Sequence, residues 1–355
     1  MSTTRRMRAR RSGAAFTLVE VLVVAAIIVL MMGFLIGVMD QTTKIWSGAS
    51  AKVEQFREAR TGFERVASRL SQATLNTYWD YDSTTKPTRY LRQSELRFIA
   101  GSAPGLLGGT STDKSAARVA HTAFFNAPLG ITGSVTYDGL DNALNTIGYF
   151  VELGDDIAQR PPFITTDMVP ARWRFRLMEF SQPTENFSLY QFTSGNPAAI
   201  TTAWFTTDVN NAIVLKRVVA ENVIAFVVTP RLAKTEEADF PQAVSNPAYS
   251  PLAPTYGYDS TGTNGDNRIN PKNQLPPVVQ LTMVAVDEKS AEKLGLSSIG
   301  DVNVFGLSSL FADTAKFTAD LATFEKTLAT KRVRYRIFTT NVQIRAAKWS
   351  REQIK

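Results

Sequence analysis

The stretch FTLVEVLVV, residues 16–24, opens a long apolar segment near the start of the 355-residue chain. No charged side chain occurs from Val21 to Met39, and Asp40 is the first one that follows. An α-helix needs about 20 apolar residues to cross the hydrocarbon core of a bilayer. The sequence therefore predicts a membrane-spanning helix over residues 16–39.

The charges around this segment predict its orientation. Five arginines and no acidic residue precede it: Arg5, Arg6, Arg8, Arg10 and Arg11. A basic flank of this kind holds the N-terminus on the cytoplasmic side, so we expect a single-pass topology with the rest of the chain exported. One carboxylate, Glu20, lies inside the start of the apolar segment, where a charge costs roughly 2.5–3.5 kcal/mol. That cost predicts a partner for Glu20.

The residues at the start of the apolar segment resemble the class III signal of type IV pilins and type II secretion pseudopilins. The resemblance rests on a small residue, then FTLVE at residues 16–20, then an apolar helix. In that family a prepilin peptidase cleaves before the phenylalanine, which becomes N-methylated. The resemblance implies a leader over residues 1–15, cleavage between Ala15 and Phe16, and N-methylation of Phe16. The family usually has glycine before the cut, so cleavage after Gly13 stays an alternative.

The same resemblance implies a role in assembly. Glu20 would be the fifth residue of the mature chain, and a buried carboxylate is stabilised by an opposite charge within a few ångströms. We therefore expect Glu20 to pair with the α-amine of Phe16 in a neighbouring subunit. The expected partners are the prepilin peptidase, other pilin or pseudopilin subunits and the inner membrane. The implied product is a periplasmic or surface filament of the type II secretion or type IV pilus type, without enzymatic activity.

Other interpretations stay open. A cleaved secretory signal has an apolar centre of about 7–15 residues, which is shorter than the present segment. A plain single-span anchor explains the arginines and the length, but not the motif at residues 16–20. The alternative to a filament subunit is a membrane-anchored periplasmic enzyme or binding protein that acts on a carbohydrate-type ligand without filament assembly. The candidate residues for that function are Trp173, Trp204, Tyr256, Asp259 and Asp266.

Composition excludes several kinds of site. The chain has no cysteine, which excludes disulfides, thiolate metal ligands and a cysteine nucleophile. Its single histidine, His121, is expected to be structural. The net charge is +7, but five of those positive charges belong to the leader arginines, which leaves about +2 for the mature chain. We therefore expect no nucleic-acid partner.

Residues 40–80 are predicted to continue the helix as an amphipathic second half. They contain no proline, and apolar side chains recur every three or four residues, which is the helical period. Charged side chains occupy the other face. We expect one helix from Phe16 to about Tyr78, whose second half packs against a folded domain.

Residues 81–355 are predicted to form an exterior α+β domain, with an antiparallel sheet and large loop insertions. Strands are predicted over residues 96–99, 119–125, 146–153, 172–180, 213–229 and 276–287, with one long or two short strands over 332–346. Helices are predicted over residues 290–294 and 314–330. Basic and apolar residues alternate in the stretch 172–180, which is typical of a half-buried strand. Its three arginines are expected to face solvent, with a binding groove as the alternative.

This order of elements is similar to the minor pseudopilin J class. Three phrases also resemble the Verru_Chthon cassette protein C group of pilin-like proteins: residues 147–152, 283–288 and 345–349. The resemblance implies a pilin-like fold, in which the long N-terminal helix packs on the sheet. The large exterior domain favours a minor, tip-type position, because bulky insertions obstruct helical repetition.

One long stretch, residues 241–277, carries closely spaced side chains with oxygen atoms. Oxygen-rich loops hold Ca²⁺ in proteins, and some major pseudopilins bind it. We therefore consider a calcium site at Asp259, Asn264 and Asp266. The spacing of an EF-hand is missing, and a loop of this composition is commonly a plain turn. No other cofactor is expected.

Overall fold

The computed structural model describes residues 17–107, 117–157, 160–191, 201–211 and 215–351. The chain divides into two compact units, of which the first ends at Glu54 and the second begins at Gln55. One helix, α1 (Leu18–Leu70), contributes residues to both units. The most apolar 18-residue stretch of its part from Leu18 to Thr43 has a mean hydropathy of 3.1. Within the described ranges, this is the one helix that is long and apolar enough to cross a membrane.

The second unit contains the sheets. The described strands are β1 (Tyr78–Tyr81), β2 (Tyr90–Gln93), β3 (Ile99–Ser102), β4 (Arg118–Pro128), β5 (Leu144–Gly154), β6 (Arg174–Gln182), β7 (Lys216–Glu221), β8 (Val223–Arg231), β9 (Tyr258–Asp259), β10 (Val278–Val286) and β11 (Tyr335–Gln343). The larger sheet has the order β7-β6-β5-β4-β3-β9, and the smaller one has the order β11-β10-β8. Strands β1 and β2 form a separate hairpin. All of these pairings are antiparallel, so the α+β class predicted from the sequence is confirmed.

Six further α-helices lie in the described part of the second unit, besides short 3-10 helices: α2 (Ala103–Leu107), α3 (Ala203–Asn211), α4 (Lys234–Glu237), α5 (Pro241–Ser245), α6 (Glu288–Lys293) and α7 (Phe317–Thr330). Helices α6 and α7 correspond to the two helices predicted from apolar spacing. Asp287 caps α6, since its carboxylate accepts the Ser290 N–H at 2.8 Å. An aspartate at this position satisfies a backbone donor that the helix leaves unpaired.

The two sheets share one hydrophobic core, because β8 of the smaller sheet contacts β4, β5 and β6 of the larger one. The chain passes between the sheets at Asn222, which separates β7 from β8 and has a φ of 57°. Asparagine tolerates this left-handed conformation better than most residues. The predicted strand over residues 213–229 is therefore two strands in two sheets.

The second half of α1 packs on this core with the face that its apolar spacing predicts. Ala59, Phe63, Val66 and Leu70 are all buried. At Gly62 the helix comes so close to β7 that a Cβ atom would lie 3.1–3.3 Å from atoms of Val219 and Ala220. Glycine thus permits the close approach of helix and strand.

The predicted C-terminal end of this helix is wrong, because α1 ends at Leu70 rather than near Tyr78. The N–H of Thr74 donates to the carbonyl of Asn126 in β4 at 2.9 Å, and Tyr78 begins β1. Ala73 continues the helical spacing of apolar residues, but it is buried in a segment that already pairs with the sheet. Apolar spacing alone cannot distinguish a residue buried on a helix face from one buried in a segment that pairs with a strand.

The prediction of an exposed face on β6 is also wrong. Every residue from Arg174 to Gln182 is buried. Strand β6 lies between β5 and β7, and both of its faces are covered. At the C-terminal end of the chain, the one long strand β11 is present.

Candidate functional site

The predicted assembly residue Glu20 lies in the first turn of α1. Its Oε2 lies 3.4 Å from both the N–H and the hydroxyl oxygen of Thr17, and the Glu20 N–H donates to Thr17 Oγ1 at 3.3 Å. This reciprocal arrangement is a capping box, and a carboxylate is also favoured at the positive end of the helix dipole. The sequence signal for this capping box, Thr-x-x-Glu before an apolar run, is present at residues 17–20. From the sequence, only a partner for Glu20 outside the helix is predicted. Ala15 and Phe16, the predicted cleavage and methylation sites, lie outside the described residues.

The apolar part of α1 presents large side chains around the helix. Leu30, Phe34 and Met39 are each 74% exposed, and every residue from Leu18 to Thr43 is exposed. A helix that is apolar on all sides belongs in lipid or among other apolar helices. This surface is therefore the first candidate site of the protein.

A second candidate site surrounds the carboxylate of Glu179 in β6, whose side chain is fully buried. Glu179 Oε1 lies 2.7 Å from Arg69 Nη1, 3.2 Å from Arg65 Nη2 and 3.3 Å from Arg217 Nε. The Tyr149 hydroxyl donates to Glu179 Oε2 at 2.8 Å. Burial, reinforced by the charge of Glu179, raises the pKa of Tyr149 well above its ordinary value, so the phenol stays protonated. We call these five residues the Glu179 cluster.

The Glu179 cluster ties the second half of α1 to the larger sheet, because Arg65 and Arg69 come from the helix and Arg217 from β7. A buried carboxylate requires such partners, since burial without them is costly. One weak signal for this cluster is present in the sequence, a single acid within an arginine-rich strand. Only the pairing of α1 with β6 shows which cations meet it.

The arginines of β6 also have carboxylate partners. Arg174 Nη2 lies 2.7 Å from Glu288 Oε1, and Arg176 Nε lies 3.3 Å from Glu221 Oε1. Burial raises the pKa of Glu288, but the hydrogen bonds from Arg174 and Asn222 outweigh it, and the pKa lies below its ordinary value. Arg174 and Arg176 thus hold neighbouring elements together, rather than facing solvent as predicted.

The three residues considered for calcium contact other protein groups. Asp259 Oδ1 accepts from Arg97 Nε at 2.9 Å and from the Thr261 N–H at 2.9 Å. Asn264 Oδ1 accepts the Asp266 N–H at 2.9 Å, and Asp266 pairs with Arg268 at 2.7 Å. The described residues contain no group of three or more His, Asp or Glu side chains that could hold a metal ion. Calcium binding at this loop stays a prediction.

His121 lies inside the core, where its ring packs on Tyr256 at a centroid distance of 4.4 Å. Its Nε2 is 3.0 Å from the carbonyl oxygen of Phe311. Burial lowers the pKa of His121 to about 4, so the ring is neutral at physiological pH. These contacts agree with the structural role expected for it.

Two of the residues considered for the alternative function are inaccessible to a ligand because they lie inside the core. Trp204 and Tyr256 are fully buried, and Trp173 is partly buried against the core. A groove of about 610 Å³ at the start of β10 is lined by none of the five candidates. The alternative function stays a prediction.

Comparison of the chain with protein-family models, with curated proteins and with solved structures finds no match.

Proposed function

We propose that the chain is a structural subunit of a pilin-type filament, of the kind used in type II secretion and type IV pili. One observation supports this most directly. The motif FTLVE at residues 16–20 runs into the first turn of a helix whose span from Leu18 to Thr43 is apolar and exposed. Such a surface suits two environments in turn, the membrane before assembly and a bundle of like helices after it.

In this proposal a prepilin peptidase cleaves between Ala15 and Phe16 and leaves a positive α-amine at the new N-terminus. Thr17 is then the second residue, so the capped first turn of α1 begins almost at the chain end. The carboxylate of Glu20 is held at that end by the Thr17 contacts. In the assembled filament it receives the α-amine of Phe16 from a neighbouring subunit. The chain acts through assembly, without catalysis.

The pairing of Glu20 with a neighbouring amine sets the axial register of the subunit. Apolar helices can slide along one another at little cost, whereas a buried ion pair is satisfied in one register only. Removing one partner of such a pair leaves an uncompensated buried charge and costs roughly 3–5 kcal/mol. The exterior unit that begins at Gln55 has its own core and is carried by the assembled helix.

Mass spectrometry of the mature N-terminus tests the proposal. Protein isolated from its host membranes is expected to begin with N-methylated Phe16. A chain that begins after Gly13 would retain processing but move the cut by two residues. A chain that keeps Met1 would refute the proposal and favour a plain anchor.

A pair of variants separates assembly from helix capping. Glu20→Ala is expected to insert into the membrane normally but to be depleted from complexes pulled down with other pilin-like subunits. Thr17→Ala removes the cap and retains the carboxylate, so it measures how much positioning by the cap adds; it is expected to be depleted less than Glu20→Ala. Co-assembly of Glu20→Ala at the wild-type level would show that the carboxylate does not set the register.

A further inference from the structure

The loop between β5 and β6 exposes large apolar side chains in its part from residue 160 to residue 172, which we call the apolar loop. Phe163 is 75% exposed, Met168 71% and Val169 44%. An exposed carboxylate, Asp167, lies next to Met168 in the chain. Three large apolar side chains exposed within seven residues of one loop favour an interaction site over ordinary surface exposure.

Charged contacts fix the base of the apolar loop. Arg160 donates to the carbonyl oxygens of Val169 and Pro170, and its Nη2 lies 2.8 Å from Asp156 Oδ1. The Arg172 N–H donates to the same Asp156 oxygen at 2.9 Å. A loop held at its base loses little conformational entropy when it binds. The apolar side chains are therefore presented on a constrained support.

A groove of matching character lies at the start of β10. It has a volume of about 610 Å³, and its apolar lining includes Leu232, Ala243, Val244, Pro247 and Val278. Val244 is 63% exposed. Arg231 in this lining is paired with Glu237 at 2.9 Å, whereas Lys234 adds an exposed positive charge. The groove thus complements the apolar loop in both polarity and charge.

The apolar loop and the groove lie at opposite ends of β10. Arg172 at the base of the loop is 3.7 Å from Glu288, two residues beyond the end of β10. Val278, the first residue of that strand, lines the groove. At about 3.3 Å per residue, the two ends of the strand are roughly 26 Å apart. A contact between the loop of one copy and the groove of the next is therefore head-to-tail, and it can repeat.

We propose that the apolar loop of one copy docks in the groove of a second copy of this chain. Phe163 and Met168 enter the groove, and Asp167 lies beside Lys234 of the neighbour. A contact made by one loop in one groove is small, and interfaces below about 1,200 Å² are usually transient. Anchoring both copies in one membrane raises their effective concentration and compensates for this. A repeated contact makes the chain a multi-copy component, in contrast to the tip-type position that the sequence favours.

The absence of cysteine from the chain makes disulfide cross-linking a clean test. Full-length Met168→Cys and Val244→Cys chains with different tags are produced together and oxidised mildly in membranes. We expect a cross-linked dimer that carries both tags. The control pairs Val244→Cys with Val135→Cys, a position that is 90% exposed on a different loop. A yield no higher than that of this control overturns the proposal.

Charge reversal tests the contact between Asp167 and Lys234. Asp167→Lys in the loop copy, or Lys234→Asp in the groove copy, is expected to lower the cross-linking yield about two- to fivefold, the range for an exposed ion pair. Combining the two reversals in opposite copies is expected to restore the yield. Failure of the combination to restore it overturns the predicted pairing.

A third outcome identifies a different occupant. If Met168→Cys links to another membrane protein while the yield between copies stays at the control level, the second copy is the wrong partner. The inference does not depend on leader cleavage, because the full chain is cross-linked in the membrane. Its failure therefore leaves the mature N-terminus, and the proposed function, to be judged separately.

Discussion

We expect Glu179→Gln to lower the free energy of unfolding of the second unit by about 3–5 kcal/mol, the cost of breaking a buried ion pair. The substitution keeps the size of the side chain but removes its negative charge. Arg65, Arg69 and Arg217 then face one another without the carboxylate that holds them together. The amide group also brings donors towards the guanidinium groups, where an acceptor is needed.

The expected loss of stability comes mainly from the pair that Glu179 forms with its most buried cation, Arg69. The Arg69 side chain is 19% exposed, whereas those of Arg65 and Arg217 are 42% and 52% exposed and contribute less because water screens them. A matched control is available in the same helix. Arg60 and Glu64 are paired at 2.8 Å, as close as the Arg69–Glu179 pair, but both are more than 60% exposed. Glu64→Gln is therefore expected to cost less than about 1 kcal/mol.

Thermal unfolding of the purified chain in detergent, followed by tryptophan fluorescence, measures the difference. For a unit of this size each kcal/mol shifts the melting temperature by about 2 °C, so Glu179→Gln is expected to melt roughly 6–10 °C below the wild type. Glu64→Gln is expected to melt within about 2 °C of it. Equal melting temperatures for the two variants would refute the idea that burial, rather than distance, gives the Glu179 cluster its stabilising effect.

Three further predictions concern the core and the calcium loop. Gly148→Ala would place its Cβ in the ring of Phe124, so urea unfolding is expected to show a loss of about 1–3 kcal/mol. Burial holds the pKa of His121 at about 4, below its ordinary 6.5. The neutral ring therefore makes its full contribution to the free energy of unfolding above about pH 6.5, and this contribution is lost as the pH falls towards 4. His121→Gln should remove this part of the pH dependence of stability. Asp259→Asn is expected to lower the melting temperature with or without calcium, because Arg97 is nearly buried and loses its carboxylate partner.

Each of these three predictions has its own control. Gly265→Ala introduces a Cβ into open space and should change the urea midpoint little. For His121, an unchanged pH profile in His121→Gln would assign the acid sensitivity to other groups. For the loop, a rise in melting temperature with calcium that Asp259→Asn abolishes would assign a metal to it.

The sequence predicts those features whose signal is local and periodic. The apolar span of α1 follows from an uninterrupted run without charge, and α7 follows from apolar spacing at the helical period. Strands β4, β5 and β10 follow from runs of β-branched and aromatic residues. The capping box of Thr17 and Glu20 is equally local, but from the sequence only an external partner for Glu20 is predicted, and the capping box is missed.

Only the tertiary structure decides which side chains of the strands are covered and by what. The arginines of β6 alternate with apolar residues as a half-exposed strand would, yet β5 and β7 flank them and distant carboxylates pair with them. The end of α1 at Leu70 is decided by the pairing of Thr74 with β4. The physical reason is the range of the interactions. Helical periodicity and capping involve residues within one or two turns, whereas ion pairing and strand coverage join residues that are distant in the chain and meet only when the sheets form.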